Sequence, residues 1–525
     1  MSGSPKYNKQ RSVKKILIAN RGEIAVRIAR ACREMDVSPV AVYSECDRAA
    51  LHVRLADEAY AIGGSAPRDS YLCIDRIVEA ALACGADAVH PGYGFLAENA
   101  GFAQAVCDAG LTFIGPTPEA IALMGSKTAA RAAARRAGVP VVPGTDGPLP
   151  VDIADAELAQ VGQAVGFPLL VKAVSGGGGK GMRVVHNVAG LADAVRAARS
   201  EAANAFGDGA VYLERRLTRP RHIEVQVLGD VHGTLVPFVE RECSIQRRHQ
   251  KVIEETPSLA VTPEVRRAMT AAAVAISRAV GYTNAGTVEF LLDEDGAFYF
   301  LEMNTRLQVE HAITEAVTGV DLVQWQIRLA FGERLALDQA ALLLPRGHAI
   351  ECRIYAEDPD NGFLPSPGRI RSLRVPSGPG IRDDSAATAG FDVPVFYDPL
   401  VSKLVAWAED RPGAIRRMRR ALGEYVVGGI RTTVPFFVWL LEQPEFLQGR
   451  FHTTFLDDVL ASRAGRPFVE VSDELEEIAA IAAALQAVVP QAGAEGGPPS
   501  NGPAGSGRWK ARARAEAVGR LAVRH

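Results

Sequence analysis

The sequence lacks the features that mark several specialised classes of protein. Its 525 residues include only seven cysteines, an odd number without a Cys-x-x-Cys pair, which argues against a disulfide framework and a zinc site. No apolar run is long enough to cross a bilayer, and none near Met1 resembles a secretory signal. The formal net charge of −3 provides no basic excess for nucleic acid or anionic lipid. We therefore expect a cytoplasmic protein without a nucleic-acid or membrane partner.

Glycine and proline, in contrast, are abundant, with 50 and 31 residues, and they favour many tight turns. The length predicts about three domains of ~150 residues each. In the first, an amphipathic helix at Glu23–Met35 lies between buried strands at Lys15–Ala19 and Pro39–Tyr43. This pattern predicts an open α/β, Rossmann-like domain over residues 12–126. The turn after the first strand lacks Gly-x-Gly-x-x-Gly, so a dinucleotide site is not supported.

The rest of the chain is predicted to form two further domains and a tail. Residues 127–330 combine helical and strand patterns into an α+β domain, with a small module inserted at about residues 140–216. The alternating segment Val401–Ala408 belongs to a mostly antiparallel sheet predicted over residues 345–460. Residues 473–525 begin as an Ala-rich helix and continue into a Gly- and Pro-rich linker with a basic end.

Four consecutive glycines lie between two short predicted strands: Gly176, Gly177, Gly178 and Gly179. Because glycine has no side chain, the backbone N–H groups of such a hairpin tip can approach an anion closely. Lys172 on the entering strand and Lys180 at the tip add positive charge that suits a phosphate chain. The run is not a Walker P-loop, since Gly181 and then a strand follow Lys180. A flexible, solvent-exposed hairpin without a ligand is the alternative.

An acidic pattern farther along the chain predicts a metal site. Asp295-Gly296 between two alternating apolar runs is a strong hairpin signal, and counting outward from a two-residue turn there places Glu289 opposite Glu302. Two carboxylates with Cβ atoms ~5 Å apart repel by ~3 kcal/mol unless a cation lies between them. Oxygen ligands suit Mg²⁺ or Mn²⁺, and Asn304 points to the same face. The alternative is a shift by one residue that puts both carboxylates in solvent.

Two polar segments are candidates for binding an anion. Thr305–His311 offers the guanidinium of Arg306 as a clamp and the carboxylate of Glu310 as a base, although Arg306 could simply neutralise Glu310. Glu240–Lys251 concentrates arginine, histidine and lysine between strand-like sequences. A solvated charged face is the ordinary interpretation of such a run, and the flanking strands favour an anion site.

Together these segments resemble the biotin carboxylase family of ATP-grasp enzymes. The resemblance extends from about Lys14 to Leu460 and rests on six motifs: Ala19–Ala25, His90–Leu96, Gly176–Gly179, Gln246–Lys251, Glu302–Arg306 and Glu351–Arg353. It implies a pre-ATP-grasp N-terminal domain, an ATP-grasp domain with a mobile Gly-rich lid, and a mostly antiparallel C-terminal domain. Members of this family use MgATP to activate bicarbonate, and they carboxylate N1′ of biotin on a carrier protein.

The resemblance also implies roles for individual residues. The ATP-binding set comprises Lys127, Lys172, Gly176–Gly179, Glu214, Leu217, His222 and His249. The metal ligands are Glu289, Glu302 and Asn304, in agreement with the hairpin count. Bicarbonate and biotin are implied to contact Arg306, Gln308, Val309, Tyr93 and Arg353. Glu310 is implied to be the general base, Lys251 to face the transferred phosphoryl group, and Arg353 to stabilise the biotin enolate.

The biotin itself is expected to arrive on another polypeptide. None of the seven methionines stands in a Met-Lys-Met biotinylation motif. The resemblance therefore implies the biotin carboxylase component of an acyl-CoA carboxylase that consists of several subunits. Its expected partners are a biotin carboxyl carrier protein, carboxyltransferase subunits and a second copy of itself. The final carboxyl acceptor is left open.

Two other functions are compatible with parts of the sequence. One is an ATP-grasp carboxylate–amine ligase, and the other is a non-catalytic, nucleotide-binding scaffold. The basic end, Arg508–His525, resembles an exposed helix that could dock on an acidic partner, and an unused extension fits it equally well.

Overall fold

The structure, a computed structural model, describes residues 13–174, 182–463, 465–469 and 473–488. The chain divides into two units, Met1–Phe468 and Val469–His525. The predicted glycine run Gly176–Gly179, the linker and the basic end lie outside the described residues.

The first part of the larger unit is a parallel sheet with helices along it. Its strands are β1 (Lys15–Ile18), β2 (Ser38–Ser44), β3 (Glu58–Gly63), β4 (Ala88–His90) and β5 (Thr112–Phe113). Its helices are α1 (Gly22–Glu34), α2 (Leu51–Leu55), α3 (Ile74–Ala83), α4 (Ala100–Asp108) and α5 (Pro118–Gly125). The strands pair in the order β3-β2-β1-β4-β5, all parallel. Ile24, Ile28 and Cys32 recur at helical spacing and are buried in helix α1, and the residues from Glu23 to Ala29 are all buried, so the first two turns of the helix are enclosed on every side. The predicted open α/β fold is confirmed.

A small α+β module follows. Helix α6 (Lys127–Arg136) precedes the module, and its Ala130 and Ala134 share a core with Ile223 outside the module. The module contains α7 (Asp155–Val165), β6 (Leu169–Ala173), β7 (Arg183–Val185), α8 (Leu191–Phe206) and β8 (Val211–Arg215). The strands form an antiparallel sheet in the order β7-β6-β8. Leu169 and Val171 from β6 share a buried core with Leu191 and Val195 from α8. The module therefore has its own hydrophobic core.

A large antiparallel sheet occupies the rest of the larger unit. The strands in this part of the chain are β9 (Arg221–Gly229), β10 (Leu235–Pro237), β11 (Arg241–Arg247), β12 (Gln250–Thr256), β13 (Asn284–Leu292), β14 (Phe298–Asn304), β15 (His348–Tyr355), β16 (Glu357–Asp358), β17 (Leu364–Pro365), β18 (Gly368–Arg369), β19 (Ser372–Arg374), β20 (Ile381–Ser385), β21 (Asp392–Val393), β22 (Leu400–Ala408) and β23 (Val426–Gly428). Six of them lie outside the large sheet and form three two-stranded antiparallel sheets, β16 with β17, β18 with β21, and β19 with β23. The helices are α9 (Pro263–Ala279), α10 (His311–Thr318), α11 (Leu322–Ala330), α12 (Gln339–Leu342), α13 (Arg411–Glu424), α14 (Val434–Leu440), α15 (Pro444–Leu447) and α16 (Phe455–Ser462).

The order of strands in this sheet joins two stretches of sequence that are far apart. Neighbours run β14-β13-β9-β11-β12-β15-β22-β20, with β10 beside β9. Strands from residues 221–304 and strands from residues 348–408 therefore form one continuous surface. The predicted mostly antiparallel C-terminal part is confirmed, and it extends the sheet that precedes it.

The loop between β13 and β14 differs from the predicted two-residue turn at Asp295-Gly296. The N–H of Asp293 donates to the carbonyl oxygen of Ala297 at 2.8 Å, which leaves three residues in the loop. Gly296 is the last of the three and has a φ of 84°, as three-residue hairpins require at this position. The predicted turn was wrong by one residue.

A second irregularity compensates for this difference. The pairing shifts between Glu289 and Phe290, so that Leu301 has no partner across the hairpin. Without this bulge Glu289 would lie opposite Leu301. With it Glu289 lies opposite Glu302, and the predicted pairing of the two carboxylates is confirmed.

In the smaller unit the described residues form the helix α17 (Asp473–Val488), which agrees with the predicted Ala-rich helix. All seven cysteines lie in the described part of the chain, and all are free thiols. Within that part, no helix combines the length and the apolar character needed to cross a membrane.

Gly296→Ala is expected to lower the midpoint of thermal unfolding. An added Cβ would meet no atom within 4 Å, so the cost comes from the positive φ alone, at about 1 kcal/mol. Gly423→Ala in α13 is the matched control, because an added Cβ there also meets no atom within 4 Å. Alanine in a helix is favoured over glycine, so this variant should unfold at a higher temperature. Equal effects of both substitutions would contradict the three-residue turn.

Candidate active site

A row of charged side chains crosses four neighbouring strands of the large sheet. Arg241 on β11 pairs with Glu224 on β9, Glu224 pairs with Glu289 on β13, and Glu289 pairs with Glu302 on β14. Directly opposed residues share one face of a sheet, with Cβ atoms ~5 Å apart. Three carboxylates are therefore aligned side by side, which requires cations close to them.

Lys251 on β12 supplies the cation at the centre of this row. Its Nζ atom lies 2.6 Å from Glu224 Oε2, 2.8 Å from Glu289 Oε1 and 2.7 Å from Glu310 Oε1. Burial alone would lower the pKa of Lys251, but the three carboxylates outweigh it and raise that pKa well above its usual value. The ammonium group is therefore charged and holds together acidic groups from three segments.

Sequence reasoning missed Glu224, and it included Arg241 only as part of the candidate anion segment Glu240–Lys251. Both residues are fully buried. The Arg241 guanidinium forms an ion pair with Glu224 and donates to Thr314 Oγ1 at 2.9 Å and Thr287 Oγ1 at 3.1 Å. The available signal was the alternation along β9, where Glu224 stands on the polar face. That signal marks a face but does not identify the strand that pairs with it.

Glu289 and Glu302, the predicted metal ligands, have different surroundings. Glu289 lies 2.9 Å from His222 Nε2 and accepts from Asn304 Nδ2 at 2.8 Å, in addition to its contact with Lys251. Burial opposes the ionisation of Glu289, yet Lys251 and His222 outweigh it and lower its pKa. Glu302 has no hydrogen bond or ion pair with a described residue, and burial together with the charge of Glu289 raises its pKa.

These donors fit a hard divalent cation. Glu289 and Glu302 are opposed across the hairpin. Asn304 stands on the same face, where its Nδ2 group donates to Glu289 while its Oδ1 atom accepts from Arg306, so the amide would turn over to offer its oxygen to a metal. A cation between the two carboxylates would replace their repulsion by attraction. The three predicted ligands are therefore brought together as the hairpin count required.

Glu310 lies immediately before α10 and is fully buried between two cations. Its Oε1 atom contacts Lys251, and its Oε2 atom accepts from Arg353 Nη2 at 2.9 Å. Burial opposes ionisation, but Lys251 and Arg353 hold the pKa of Glu310 well below its usual range. The structure thus joins three predicted catalytic residues in one contact chain.

Arg306 pairs with Glu98 and not with Glu310, which removes the alternative of simple neutralisation. Its Nε atom lies 2.9 Å from Glu98 Oε2, and its Nη1 atom donates to Gln308 Oε1 at 3.1 Å. The Gln308 side chain is buried, and its Nε2 group has no hydrogen-bond partner in the described part of the chain. A buried, unused N–H donor beside a guanidinium is suited to an anionic ligand. Sequence reasoning missed Glu98.

A cavity of 460 Å³ lies between the parallel-sheet part and the large sheet. Arg306, Val309 and Arg353 line it on one side, and Tyr93 and Tyr397 are also in its wall. The carbonyl oxygen of Val309 accepts from Lys403 Nζ at 2.8 Å, which fixes the backbone beside Glu310. The cavity thus reaches the contact chain of charged groups at Arg353.

The predicted nucleotide-binding residues lie along the small module and its junction with the large sheet. Glu214 on β8 forms ion pairs with Arg131 and Lys172, and Leu217 is buried. Lys127 begins α6 and is partly buried, and burial lowers its pKa although Glu302 opposes this. Of these cations, Lys127 is close enough to Glu302 to interact with it electrostatically.

The histidines of the predicted set are placed differently from one another. His222 is buried beside Glu289, and its Nδ1 atom lies 2.8 Å from Gln246 Nε2. His249 is exposed in the two-residue turn between β11 and β12, where Arg248 and His249 have φ values of 50° and 65°. Positive φ at both positions is unusual for residues other than glycine and asparagine. The predicted role of Gly176–Gly179 falls outside the described residues.

Three family profiles match the chain. "Biotin carboxylase, N-terminal domain" matches residues 12–121. "Carbamoyl-phosphate synthase L chain, ATP binding domain" matches residues 126–338, and "Biotin carboxylase C-terminal domain" matches residues 351–458. The matches therefore span most of the larger unit.

Whole proteins and solved structures are similar over the same range. Biotin carboxylase of Nostoc sp. is 52% identical over 445 residues, 85% of this chain and 99% of the relative. A pyruvate carboxylase subunit of Methanothermobacter thermautotrophicus is also 52% identical over 445 residues, 85% of this chain and 89% of the relative. The biotin carboxylase domain dimer of Hydrogenobacter thermophilus 2-oxoglutarate carboxylase, solved with MgADP, ADP and bicarbonate, has a TM-score of 0.83 at 46% identity. That match covers 88% of this chain and 100% of the solved chain.

Lys251→Met is expected to lower the free energy of unfolding by about 3–5 kcal/mol, because it leaves buried carboxylates without their shared cation. Urea denaturation followed by circular dichroism measures the change. Lys14→Met is the control, since that side chain is exposed, and it should change stability by less than about 0.5 kcal/mol. A second substitution, Glu310→Gln, should restore part of the loss. An unchanged midpoint for Lys251→Met would show that the ammonium group does not hold the site together.

Proposed function

Because the chain belongs to the biotin carboxylase family of ATP-grasp enzymes, we propose that it is the biotin carboxylase component of an acyl-CoA carboxylase of the acetyl or propionyl type that consists of several subunits. Biotin carboxylase activity, that of an ATP-dependent ligase, is the family's function. The observation that carries the proposal is the contact chain Lys251–Glu310–Arg353. One end of it lies at the predicted metal carboxylates, and the other lines the cavity of Tyr93.

The nucleotide and its metal are proposed to bind beside the carboxylate row. Glu289, Glu302 and Asn304 would hold Mg²⁺ or Mn²⁺, which would neutralise charge on the ATP phosphates. Lys127, Lys172 and His222 complete the phosphate site, together with the Gly176–Gly179 loop. Glu214 and Leu217 line the adenine pocket, and Lys251 faces the transferred phosphoryl group with His249 nearby. The single lysine among three carboxylates leaves this region with an excess of negative charge, which suits a divalent metal ion.

Bicarbonate is proposed to bind against Arg306, Gln308 and Val309. The free Nε2 donor of Gln308 is the strongest support, because a buried amide group without a partner is costly unless a ligand satisfies it. Arg306 would exchange its contact with Glu98 for the anion. The guanidinium then orients the anion for attack on the γ-phosphoryl group.

Glu310 is proposed to remove the proton of bicarbonate. A carboxylate with a strongly lowered pKa is a weak base, and Lys251 is one of the groups that lower it. When the transferred phosphoryl group draws Lys251 towards itself, Glu310 loses part of this stabilisation and becomes a stronger base. Attack of the deprotonated anion on the γ-phosphoryl group forms carboxyphosphate and releases ADP.

The biotin step is proposed to take place in the cavity of Tyr93 and Arg353. Carboxyphosphate releases CO₂ beside the biotin ring, and phosphate removes the N1′ proton. Arg353 stabilises the enolate oxygen, and its permanent charge suits this role. Closure of the lid at residues 140–216 would exclude the water that destroys carboxyphosphate.

Two of the similar proteins support the proposed partners. One relative is named as part of pyruvate carboxylase, and the solved 2-oxoglutarate carboxylase domain is a dimer. We propose a homodimer in the cytoplasm that acts with a separate biotin carboxyl carrier protein and with carboxyltransferase subunits. The domain limits that we propose are residues 12–126, 127–330 and 345–460. Identification of the subunits that copurify with the chain would establish the carboxyl acceptor.

Glu310→Gln and Arg353→Ala are expected to keep ATP binding and to reduce carboxybiotin formation at least about 100-fold, since each removes a group that acts on the reacting atoms. Equilibrium dialysis with labelled ATP and trapping of labelled carboxybiotin measure the two properties. Arg278→Ala removes an exposed arginine and serves as the control. Undiminished product from either of the first two variants would refute the assigned role.

The acceptor chemistry is tested with the unaltered protein. Free biotin is expected to raise the rate of bicarbonate-dependent ATP hydrolysis, because it accepts the carboxyl group and completes the cycle. Ammonium ions and simple amines are added in parallel experiments, as the acceptors that a carboxylate–amine ligase would use. Stimulation by an amine without stimulation by biotin would replace the proposed function by that of a carboxylate–amine ligase. ATP binding without any hydrolysis would indicate a scaffold.

A further inference from the structure

A second pair of opposed carboxylates lies in the large sheet, away from the predicted metal ligands. Glu254 on β12 pairs directly with Glu351 on β15, and both side chains are fully buried. Such a pair repels strongly when both members are ionised, as at Glu289 and Glu302. No role has so far been assigned to either residue.

The two members of this pair have very different partners. Glu254 Oε1 accepts from Arg353 Nε at 2.6 Å, so that the Arg353 guanidinium lies between Glu254 and Glu310. Neither carboxylate oxygen of Glu351 has a hydrogen-bond partner in the parts of the chain that the structure describes. An ionised carboxylate without partners is too costly to bury, so Glu351 must be the neutral acid of the pair.

The charge states of the two groups agree with this geometry. Burial raises the pKa of Glu254 to about 7, although Arg353 opposes the shift. Burial raises the pKa of Glu351 well above its usual value, and the charge of Glu254 adds to the effect. Neighbouring carboxyl groups whose pKa values are driven apart in this way have different tasks.

We propose that Glu254 is a positioning residue for the biotin step, which fixes the Arg353 guanidinium through Nε while Glu310 holds it through Nη2. Glu351 is the neutral member of the pair. Because it is neutral, Glu254 carries the only negative charge of these two carboxyl groups. The inference rests on the proposed function, because Arg353 is assigned to biotin there. It adds a residue that acts through Arg353 and not on the substrate.

The position of Glu254 explains why Arg353 needs a second anchor. Glu310 alone could not hold the guanidinium during turnover, since it accepts a proton from bicarbonate in the proposed reaction. A neutral Glu310 binds a cation weakly, and Arg353 would then be free to turn away from the cavity. Above a pH of about 7, Glu254 keeps a charged acceptor on Arg353 throughout the step.

A pH dependence follows from the groups that face Glu254. These are Arg353 and Glu351 on β15, Glu310 from the segment before α10, and Lys251 on its own strand. Lys403 on β22 is the cross-strand neighbour of Arg353 on β15, and its positive charge opposes the rise in the pKa of Glu351. Glu254 is ionised above about pH 7 and is protonated as the pH falls below it. Protonation would release Arg353, so the biotin-stimulated rate should fall over this range.

The test compares two isosteric substitutions, Glu254→Gln and Glu351→Gln. For each variant, the biotin-stimulated rate of ATP hydrolysis is divided by the bicarbonate-dependent rate without biotin. Glu254→Gln is expected to lower this ratio about 10- to 100-fold, the effect of losing one charge-assisted hydrogen bond. Glu351→Gln replaces a neutral acid by a neutral amide and should change the ratio less than about twofold.

The pH dependence of this ratio separates a positioning role from a purely structural one, because loss of a purely structural residue would leave the pH dependence unchanged. In the unaltered protein the ratio should decline as the pH falls through about 7, and this decline should be absent in Glu254→Gln. Bicarbonate speciation affects both rates and cancels in the ratio. The thermal midpoint and the KM for ATP of each variant show whether the fold and the nucleotide site are retained.

Each outcome supports or overturns the proposal. A normal ratio in Glu254→Gln, or an equal loss in Glu351→Gln, would overturn the positioning role. If Glu254→Gln fails to fold, Glu254→Asp is measured, and a normal ratio with an unshifted pH profile in that variant would count against the role. If the unaltered protein shows no stimulation by biotin, the proposed function fails first, and the two failures are thereby distinguished.

Discussion

The central constraint in this protein is the burial of acidic side chains side by side in an antiparallel sheet. Glu224, Glu289 and Glu302 stand on adjacent strands, and Glu310 joins them from the start of α10. Water cannot screen their repulsion there, so cations must be held at short range. Lys251 meets this need for three of the four carboxylates, and Glu302 is left without a partner among the described residues.

That unequal distribution of cations connects the fold to the proposed chemistry. The carboxylate without a partner, Glu302, is close enough to the predicted phosphate ligand Lys127 to act on its pKa, and a divalent metal ion there would supply the missing positive charge. Glu310, in contrast, lies where Lys251 and Arg353 keep it ionised. Any movement of Lys251 towards a phosphate changes the basicity of Glu310. The arrival of one substrate can therefore prepare the base for the next.

The sequence predicts local pairing better than it predicts long-range pairing. The opposition of Glu289 and Glu302 was predicted correctly from one hairpin, although the turn has three residues and a bulge at Leu301 restores the register. Glu224 could not be assigned to the site in this way, because its strand lies more than sixty residues earlier. Nothing local to Glu254 indicates that β15, almost a hundred residues later, lies beside it. The fold class followed from periodicity and from the family resemblance.

The most direct measurement of the central claim is the position of a divalent cation in a crystal grown with MnADP. Manganese scatters anomalously, so its position can be found independently of the protein density. The account predicts a manganese peak between the carboxylates of Glu289 and Glu302, with Lys251 still in contact with Glu310 or turned towards the phosphates. A peak at another set of ligands, or none at saturating MnADP, would contradict it.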